Sequence, residues 1–216
     1  MMLPALYNHL DAMQWRYSTQ QFASNAKLDK ETLYALLEIL RLTPTAMGLQ
    51  LWRFVLVSDL EIRKRLAEKT PVRHQRQILD ASHLLVLCRP HKFEPALIDQ
   101  HVEHVAYIRK QSISELHSYS SFLHNWFHEH QDSLESWMDN QVYLALGHLV
   151  AACAAARIDS CPIEDFPTLD YDEILELGNK HLHSIVTCAV GVRSNNDKYA
   201  KLPKVRYPMD DLVLYR

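Results

Sequence analysis

Two short segments near opposite ends of the chain carry cations at a spacing that suits an anion. The first is Arg16–Gln20, with the sequence RYSTQ, and the second is Lys204–Arg206, with the sequence KVR. In extended backbone, alternate side chains point to the same side, so Arg16 and Ser18 share one face, as do the two cations of the second segment. A guanidinium grips a phosphate as a planar fork. Each segment is therefore a candidate phosphate site, and solvated surface cations are the alternative for each segment taken alone.

Two further segments offer space and backbone amides to a flat ligand. Thr43–Gln50 (TPTAMGLQ) is a turn rich in small side chains, placed between a predicted helix and a predicted strand. Pro162–Phe166 (PIEDF) begins with a proline, which fixes φ and so displays the following amides in one direction. An ordinary punctuated connection is the alternative for the first segment, and a helix-to-helix turn is the alternative for the second.

A stretch rich in histidine, His117–His130, suggests a metal site as an alternative. His124 and His128 are four residues apart, so they share one face of a helix. Two such histidines can bind zinc or nickel, but the HExxH pattern is absent and no cysteine lies near in sequence. Solvated helix histidines are the favoured interpretation. The four cysteines show no CxxC spacing, and we expect free, buried thiols in a reducing compartment.

The composition excludes several classes of protein. The chain has 216 residues and a formal net charge of −3, so it lacks a general basic field for nucleic acid or an anionic membrane. Its 4 glycines are scattered, which rules out a Gly-rich dinucleotide fingerprint and a Walker phosphate loop. The N-terminal segment lacks the basic and apolar regions of a signal peptide, and Val142–Ile158 is too short to span a bilayer. We expect a single cytoplasmic domain over residues 1–216.

Hydrophobic periodicity predicts alternating helices and strands with helices dominating, hence an α/β or α+β sandwich. Helices are expected at Leu3–Ala12, Leu28–Leu42, Leu60–Lys69, Leu134–Arg157 and Tyr171–Leu177, and a helical region over 92–131; strands at Arg53–Ser58, His83–Cys88 and His183–Val190. Asp29 is the expected N-cap of the second helix, and the apolar run His83–Cys88 suits a strand covered on both faces. The second half of the long helix is apolar nearly all round, which places it in the core or in a dimer interface. Pro162 is expected to break the chain, and residues 202–216 to be extended.

Six segments, taken in order along the chain, resemble one known family. They are RYSTQQF (Arg16–Phe22), TPTAMGLQLWRF (Thr43–Phe54), ILDASHLLVLC (Ile78–Cys88), SWMDNQVYLALGHL (Ser136–Leu149), CPIEDF (Cys161–Phe166) and LPKVRYP (Leu202–Pro208). No single segment is diagnostic, but the order and spacing of all six resemble the nitroreductase family of FMN-dependent NAD(P)H oxidoreductases. The likeness is to its oxygen-insensitive, dihydropteridine-reductase-like branch.

The resemblance implies both a fold and an activity. The expected fold is a helix-rich α+β sandwich of α/β/α layers with a mixed, mainly antiparallel sheet. The expected assembly is a domain-swapped homodimer with FMN at the subunit interface, its site covered by a helical excursion at about 92–131. The implied reaction passes hydride from NAD(P)H through flavin N5 to a nitroaromatic, quinone or similar small acceptor in ping-pong fashion. Because the cofactor carries this chemistry, no catalytic residue of the protein is assigned.

The resemblance also implies roles for individual residues. Residues that would hold the phosphate and ribityl end are Arg16, Tyr17, Ser18, Gln20, Lys204 and Arg206. Residues that would surround the isoalloxazine are Pro44, Thr45 and Ala46 of the partner subunit, together with His74, Gln77, Pro162, Ile163, Glu164 and Asp165. Residues that would shape the substrate pocket are Met47, Phe122 and Trp126.

Four of these positions depart from the family pattern. The branch has lysine at the positions of Gln20 and Gln77, asparagine at that of His74, and glycine at that of Asp165. Loss of two cations should make reduction of the flavin harder, by about 1–2 kcal/mol for each partly buried charge contact. A protonated His74 would partly replace them. A flavin-binding homodimer without efficient turnover is therefore an alternative to the enzyme.

Overall fold

Residues 3–216 are described by a computed structural model in which helices surround a four-stranded sheet. The helices are α1 Pro4–Trp15, α2 Lys30–Arg41, α3 Leu60–Lys69, α4 Val72–Asp80, α5 Pro95–Arg109, α6 His117–Glu129, α7 Leu134–Ala155, α8 Thr168–Ile174 and α9 Met209–Leu212. The strands are β1 Arg53–Val57, β2 His83–Pro90, β3 Asp159–Ile163 and β4 Leu182–Gly191. No helix within residues 3–216 is long and apolar enough to cross a membrane.

The sheet has the strand order β1-β2-β4-β3, and each neighbouring pair is antiparallel. The register of β2 on β4 shifts between Leu87 and Cys88. A parallel contact comes from an isolated bridge between Ser18 and Ser160, which places the first cationic segment beside β3. The prediction of a helix-rich α+β protein with a mainly antiparallel sheet is therefore confirmed.

Both faces of the sheet are covered by helices. The side chains of β2 point alternately to the two faces and pack in different clusters. Leu84 and Val86 face a cluster that includes Ile78 of α4, whereas Leu85 and Leu87 face the cluster of α2 and α7. Side chains alternate across a strand, so a continuous apolar run can bury both sides. The predicted double burial of this strand is confirmed.

The long helix α7 buries one face and exposes the other. Val142 and Leu149 are fully buried against the sheet, whereas Leu144 is 41% exposed and Tyr143 39%. Helix α2, which packs against α7, begins at the predicted cap, where the Asp29 side chain accepts a hydrogen bond from the Thr32 amide at 2.7 Å. The exposed apolar side of α7 leaves room for the predicted dimer interface, which stays a prediction.

Two predictions about local structure are wrong, and one helix was missed. Pro162 does not break the chain but lies within β3, opposite Cys188. Proline lacks an amide donor, and an edge strand such as β3 tolerates it because one side of that strand has no partner to bond. Helix α4 was not predicted, and the tail, expected to be extended, contains the short helix α9. The four cysteines are free and buried, as expected.

Candidate functional site

The two cationic segments, 188 residues apart in sequence, meet in space. The Lys204 ammonium donates a hydrogen bond to the backbone carbonyl of Arg16. Together with Arg206, Ser18 and Gln20 these residues line a cleft of about 450 Å³. Burial lowers the pKa of Arg16, and the charge of Arg206 lowers it further. Burial likewise lowers the pKa of Lys204, followed by the charges of Arg16 and Arg206.

This cleft fits an anion such as a phosphate. The Arg16 Nε atom is buried and has no hydrogen-bond partner within residues 3–216. No acidic side chain is found among the described residues that line the cleft. A phosphate would accept the unpaired hydrogen bond and offset the mutual repulsion of the three cations. The structure brings the predicted side chains together in one cleft, and their role in binding a phosphate stays a prediction.

Asp197 holds the first cationic segment in position, a role that the sequence analysis missed. It is 2% exposed, and its Oδ2 accepts hydrogen bonds from the Tyr17 hydroxyl at 2.9 Å and from the amides of Gln20 and Gln21 at 2.8 and 3.0 Å. Burial alone would raise the pKa of Asp197, but these hydrogen bonds outweigh it and the pKa is lowered. Tyr17 lines the cleft, yet its hydroxyl is engaged by Asp197 rather than free for a ligand.

Arg193 supports the same segment by stacking on the rings of Trp15 and Tyr17. The Arg193 guanidinium lies 4.2 Å from the ring centroid of Trp15 and 4.6 Å from that of Tyr17. Its Nε donates to Asp159 Oδ1 at 2.6 Å. Cation–π contacts and a buried charge pair fix the ring of Tyr17, and hence the backbone between Arg16 and Ser18.

The two positions where the family has lysine are occupied by amides that contact each other. The side-chain amides of Gln20 and Gln77 lie 3.0 Å apart. The Gln20 Nε2 atom also donates to the Ser18 carbonyl at 3.0 Å. Gln77 is 1% exposed and is not among the described residues that line the cleft, so of this neutral pair only Gln20 lines it. The structure therefore brings Gln20 and Gln77 into contact, and both side chains are neutral.

The adjoining corner contains a cation that was not identified from the sequence. Arg73 forms an ion pair with Asp165, and its Nε donates to His74 Nε2 at 3.1 Å. Burial lowers the pKa of His74, and the charge of Arg73 lowers it further. The proposed substitute cation is thus neutral near pH 7, and the positive charge of this corner comes from Arg73.

The segment at the end of β3 lies beside the first cationic segment. The Thr19 amide donates to the Ser160 carbonyl at 3.2 Å, which aligns that segment with β3 and with Pro162 and Ile163. Beyond the strand, Glu164 interacts with Tyr143 of α7 and raises the pKa of that phenol, after the larger effect of burial.

The turn Pro44–Met47 is held away from the cleft in this chain. The Thr45 hydroxyl and the Ala46 amide both donate to Gln141 Oε1, at 3.2 and 2.9 Å. Met47 has a left-handed backbone with φ of 54°, and its carbonyl accepts a hydrogen bond from Tyr119 of α6 at 2.7 Å. None of the turn residues is among the described residues that line the cleft. Their role in a partner's site stays a prediction.

The predicted pocket residues of α6 differ in exposure. Phe122 is 53% exposed and is open to a ligand. The Trp126 ring stacks on His130 with centroids 4.3 Å apart, so it is engaged within the helical region. His124 Nε2 lies 2.9 Å from Asp99 Oδ1, and residues 3–216 contain no group of three or more side chains placed to hold a metal ion. The metal alternative through His124 and His128 has no third ligand in this part of the chain.

The fold and the cleft define an α+β protein with a cationic site beside an edge strand. The profile of the Nitroreductase family matches residues 13–192. YfkO of Bacillus subtilis is 34% identical over 216 residues, covering 94% of this chain and 95% of that protein. The oxygen-insensitive NAD(P)H nitroreductase of Enterobacter cloacae is 29% identical over 205 residues, covering 92% and 94%.

A solved structure shares the fold as well. A protein of Exiguobacterium sibiricum, solved in complex with FMN, superimposes with a TM-score of 0.80 and 20% identity over 96% of this chain and 97% of that one. The chain belongs to the nitroreductase family. The predicted family and the nitroreductase-like fold are confirmed.

Proposed function

We propose that this protein is an FMN-dependent oxidoreductase that uses NAD(P)H to reduce nitroaromatic, quinone or similar small acceptors. One observation carries the proposal: Arg16, Lys204 and Arg206 converge on one cleft. The buried Arg16 Nε atom there has no partner among the described residues. The name of the Enterobacter cloacae relative and the FMN complex of the Exiguobacterium sibiricum protein support the same cofactors.

The residues of the chain would bind and orient the cofactor. The three cations and Ser18, which line the cleft, would hold the phosphate end. The residues at the end of β3, implied by the resemblance, would lie against the ring system. When bound, FMN supplies the hydride chemistry between NAD(P)H and the acceptor. The lack of a Gly-rich nucleotide loop agrees with this, because the nicotinamide need only stack transiently on the flavin.

A domain-swapped homodimer, with Lys204 and Arg206 kept in the cleft of their own chain, is part of the proposal. The tail 202–216 is exposed along its whole length, with Val205 at 85% and Tyr215 at 79%. Leu3, just before α1, and Tyr7 on α1 are also more than 60% exposed. Large apolar side chains exposed on both the tail and the beginning of α1 indicate a surface that a second subunit covers. The same partner would bring its turn Pro44–Ala46 to the cleft.

The test is the visible spectrum of the protein after FMN addition and desalting, followed by steady-state oxidation of NADH and NADPH with a quinone and with a nitroaromatic acceptor. A yellow protein that oxidises either nicotinamide supports the proposal. A protein that stays colourless overturns it. A yellow protein without turnover supports the alternative, a flavin-binding dimer that has lost the reaction.

A further inference from the structure

Lys204 is the one lysine among the described residues that lines the cationic cleft. It is exposed, so a small reagent in solution can reach its side chain. The other two cations of the cleft, Arg16 and Arg206, do not act as nucleophiles, because a guanidinium stays protonated in proteins. Lys204 is therefore the amine nucleophile of a site whose remaining charges are fixed and positive.

The surroundings of Lys204 increase the fraction of its amine that is neutral. Burial lowers its pKa, and the charges of Arg16 and Arg206 lower it further. The Lys204 nitrogen also donates a hydrogen bond to the backbone carbonyl of Arg16. A neutral amine can keep this hydrogen bond through one N–H and still present a lone pair, which the ammonium ion lacks. Lys204 is thus held in place in a form that can attack an electrophile.

The same cleft determines which electrophile fits. The buried Arg16 Nε atom has no hydrogen-bond partner in the described part of the chain. The Arg206 guanidinium donates to the Val205 carbonyl through one nitrogen, which leaves further N–H groups for a ligand. A phosphate docked on the two guanidinium groups would bring whatever group it carries to the Lys204 nitrogen. An acyl phosphate joins such an anchor to a carbonyl carbon that amines attack.

We propose that Lys204 is a site of phosphate-directed acylation by small acyl phosphates. The Lys204 nitrogen attacks the acyl carbon, so a C–N bond forms while the bond from that carbon to the bridging phosphate oxygen breaks. Phosphate leaves with the bonding electron pair and takes up the proton that the nitrogen loses. The product amide is uncharged, so the cleft loses one of its three cations. The inference goes beyond the proposed function, because it requires a docked phosphate and no flavin.

The test compares two acetyl donors on the full-length protein without added FMN. One is acetyl phosphate, and the other is the N-hydroxysuccinimide ester of acetic acid, which has no phosphate. Mass spectrometry of peptides gives the initial rate of acetylation at each lysine. Lys27 is the internal control, because it is exposed, burial lowers its pKa and it donates to the Ala81 carbonyl, yet it lies outside the cleft.

The expected result is a preference of acetyl phosphate for Lys204. The rate ratio of Lys204 to Lys27 should be about tenfold or more higher with acetyl phosphate than with the ester, since docking makes the attack intramolecular. An equal rate ratio with both donors would show that the pKa alone makes Lys204 reactive, and this would overturn the inference. A lack of acetylation at Lys204 would overturn it as well.

Two arginine variants check that docking causes the preference. Arg206→Gln removes one docking group and should lower the preference about threefold. Arg76→Gln is the matched control, because the Arg76 side chain is 79% exposed on α4 and pairs with Asp80, away from the cleft. This control should keep the wild-type preference. Equal losses in the two variants would indicate a general charge effect and contradict the inference.

Added FMN separates this inference from the proposed function. An FMN phosphate in the cleft should protect Lys204 from acetyl phosphate, whereas riboflavin should not. If acetyl phosphate prefers Lys204 and FMN binds without protecting it, the inference stands and the assignment of the cleft to the FMN phosphate fails. If FMN protects Lys204 from the ester but acetyl phosphate shows no preference for Lys204, the inference fails and the proposed function stands.

Discussion

The two ends of the proposed cofactor site are built on opposite principles. At the phosphate end, three cations converge and are backed by buried supports, with Asp197 at 2% exposure. At the flavin end, the neutral amides of Gln20 and Gln77 stand where the family resemblance implies lysines. On the proposed function, the first end decides whether FMN is held, and the second decides how easily it is reduced. On this proposal, the affinity for FMN and its redox potential are set by separate residues.

The variant Arg16→Gln tests most strongly whether the phosphate end sets the affinity for FMN. A charge-assisted hydrogen bond contributes about 1.5–3 kcal/mol, so FMN should bind about 10- to 150-fold more weakly. Riboflavin, which has no phosphate, should bind as it does to the wild-type protein. Fluorescence titration of both flavins checks this, with Arg76→Gln as the control. Equal weakening of FMN and riboflavin would show that Arg16 does not act on the phosphate.

The next largest effect is expected from Asp197→Asn. The neutral side chain places an amide group among three donors, so the free energy of unfolding should fall by about 2 kcal/mol and FMN affinity about tenfold. Urea denaturation and flavin titration measure the two quantities. Asp211→Asn, an exposed change in α9, should alter neither. A loss of stability with unchanged FMN affinity would separate Asp197 from the site.

At the flavin end, Gln20→Lys restores one cation to the cleft. Reduced FMN should then bind about three- to tenfold more tightly relative to oxidised FMN, because the ammonium offsets its added negative charge. Anaerobic titration gives the ratio. The control is Gln21→Lys, since this exposed neighbour is not among the described residues lining the cleft. An identical response of both variants would point to a general charge effect.

The smallest expected effect is on the pH dependence of stability. Burial lowers the pKa values of His74, His83 and His101 in the folded protein. The unfolded chain then binds more protons below about pH 6.5, so stability should fall as the pH drops from 7.5 towards 5.5. A loss of about 1 kcal/mol corresponds to about 2–4 °C in Tm for a domain of this size.

Thermal unfolding at several pH values checks the sign. His74→Asn should remove part of the slope, whereas His117→Asn, an exposed change at the start of α6, should keep it. Stability that rises on acidification would contradict the assignment of these rings as neutral.

Local patterns predicted the elements that depend on local forces. The apolar run of β2 and the Asp29 cap of α2 were correct because alternation and capping need only near neighbours. Strand β3 was missed because Pro162 argues against a strand unless its edge position is known. That position depends on the pairing with β4, which residue spacing within the segment does not reveal.

The site residues likewise divide into those identified from the sequence and those that only the folded structure reveals. Arg16, Lys204 and Arg206 were identified from residue types and from the family resemblance. Asp197 was missed because its contacts lie 176–180 residues away in sequence, where no periodicity links the partners. Arg73 was missed because an exposed arginine on a helix is unremarkable until Asp165 is seen beside it.

The origin of the cationic cleft from the two ends of the chain has a practical consequence. Every buried residue of the described chain lies between Ala12 and Asp197, so trimming the last 13 residues would spare the core while deleting Lys204 and Arg206. On the proposed function, a protease that removes the tail would make the protein lose its bound FMN, and therefore its colour, while the core stays folded. Colour would then report the integrity of the C-terminus.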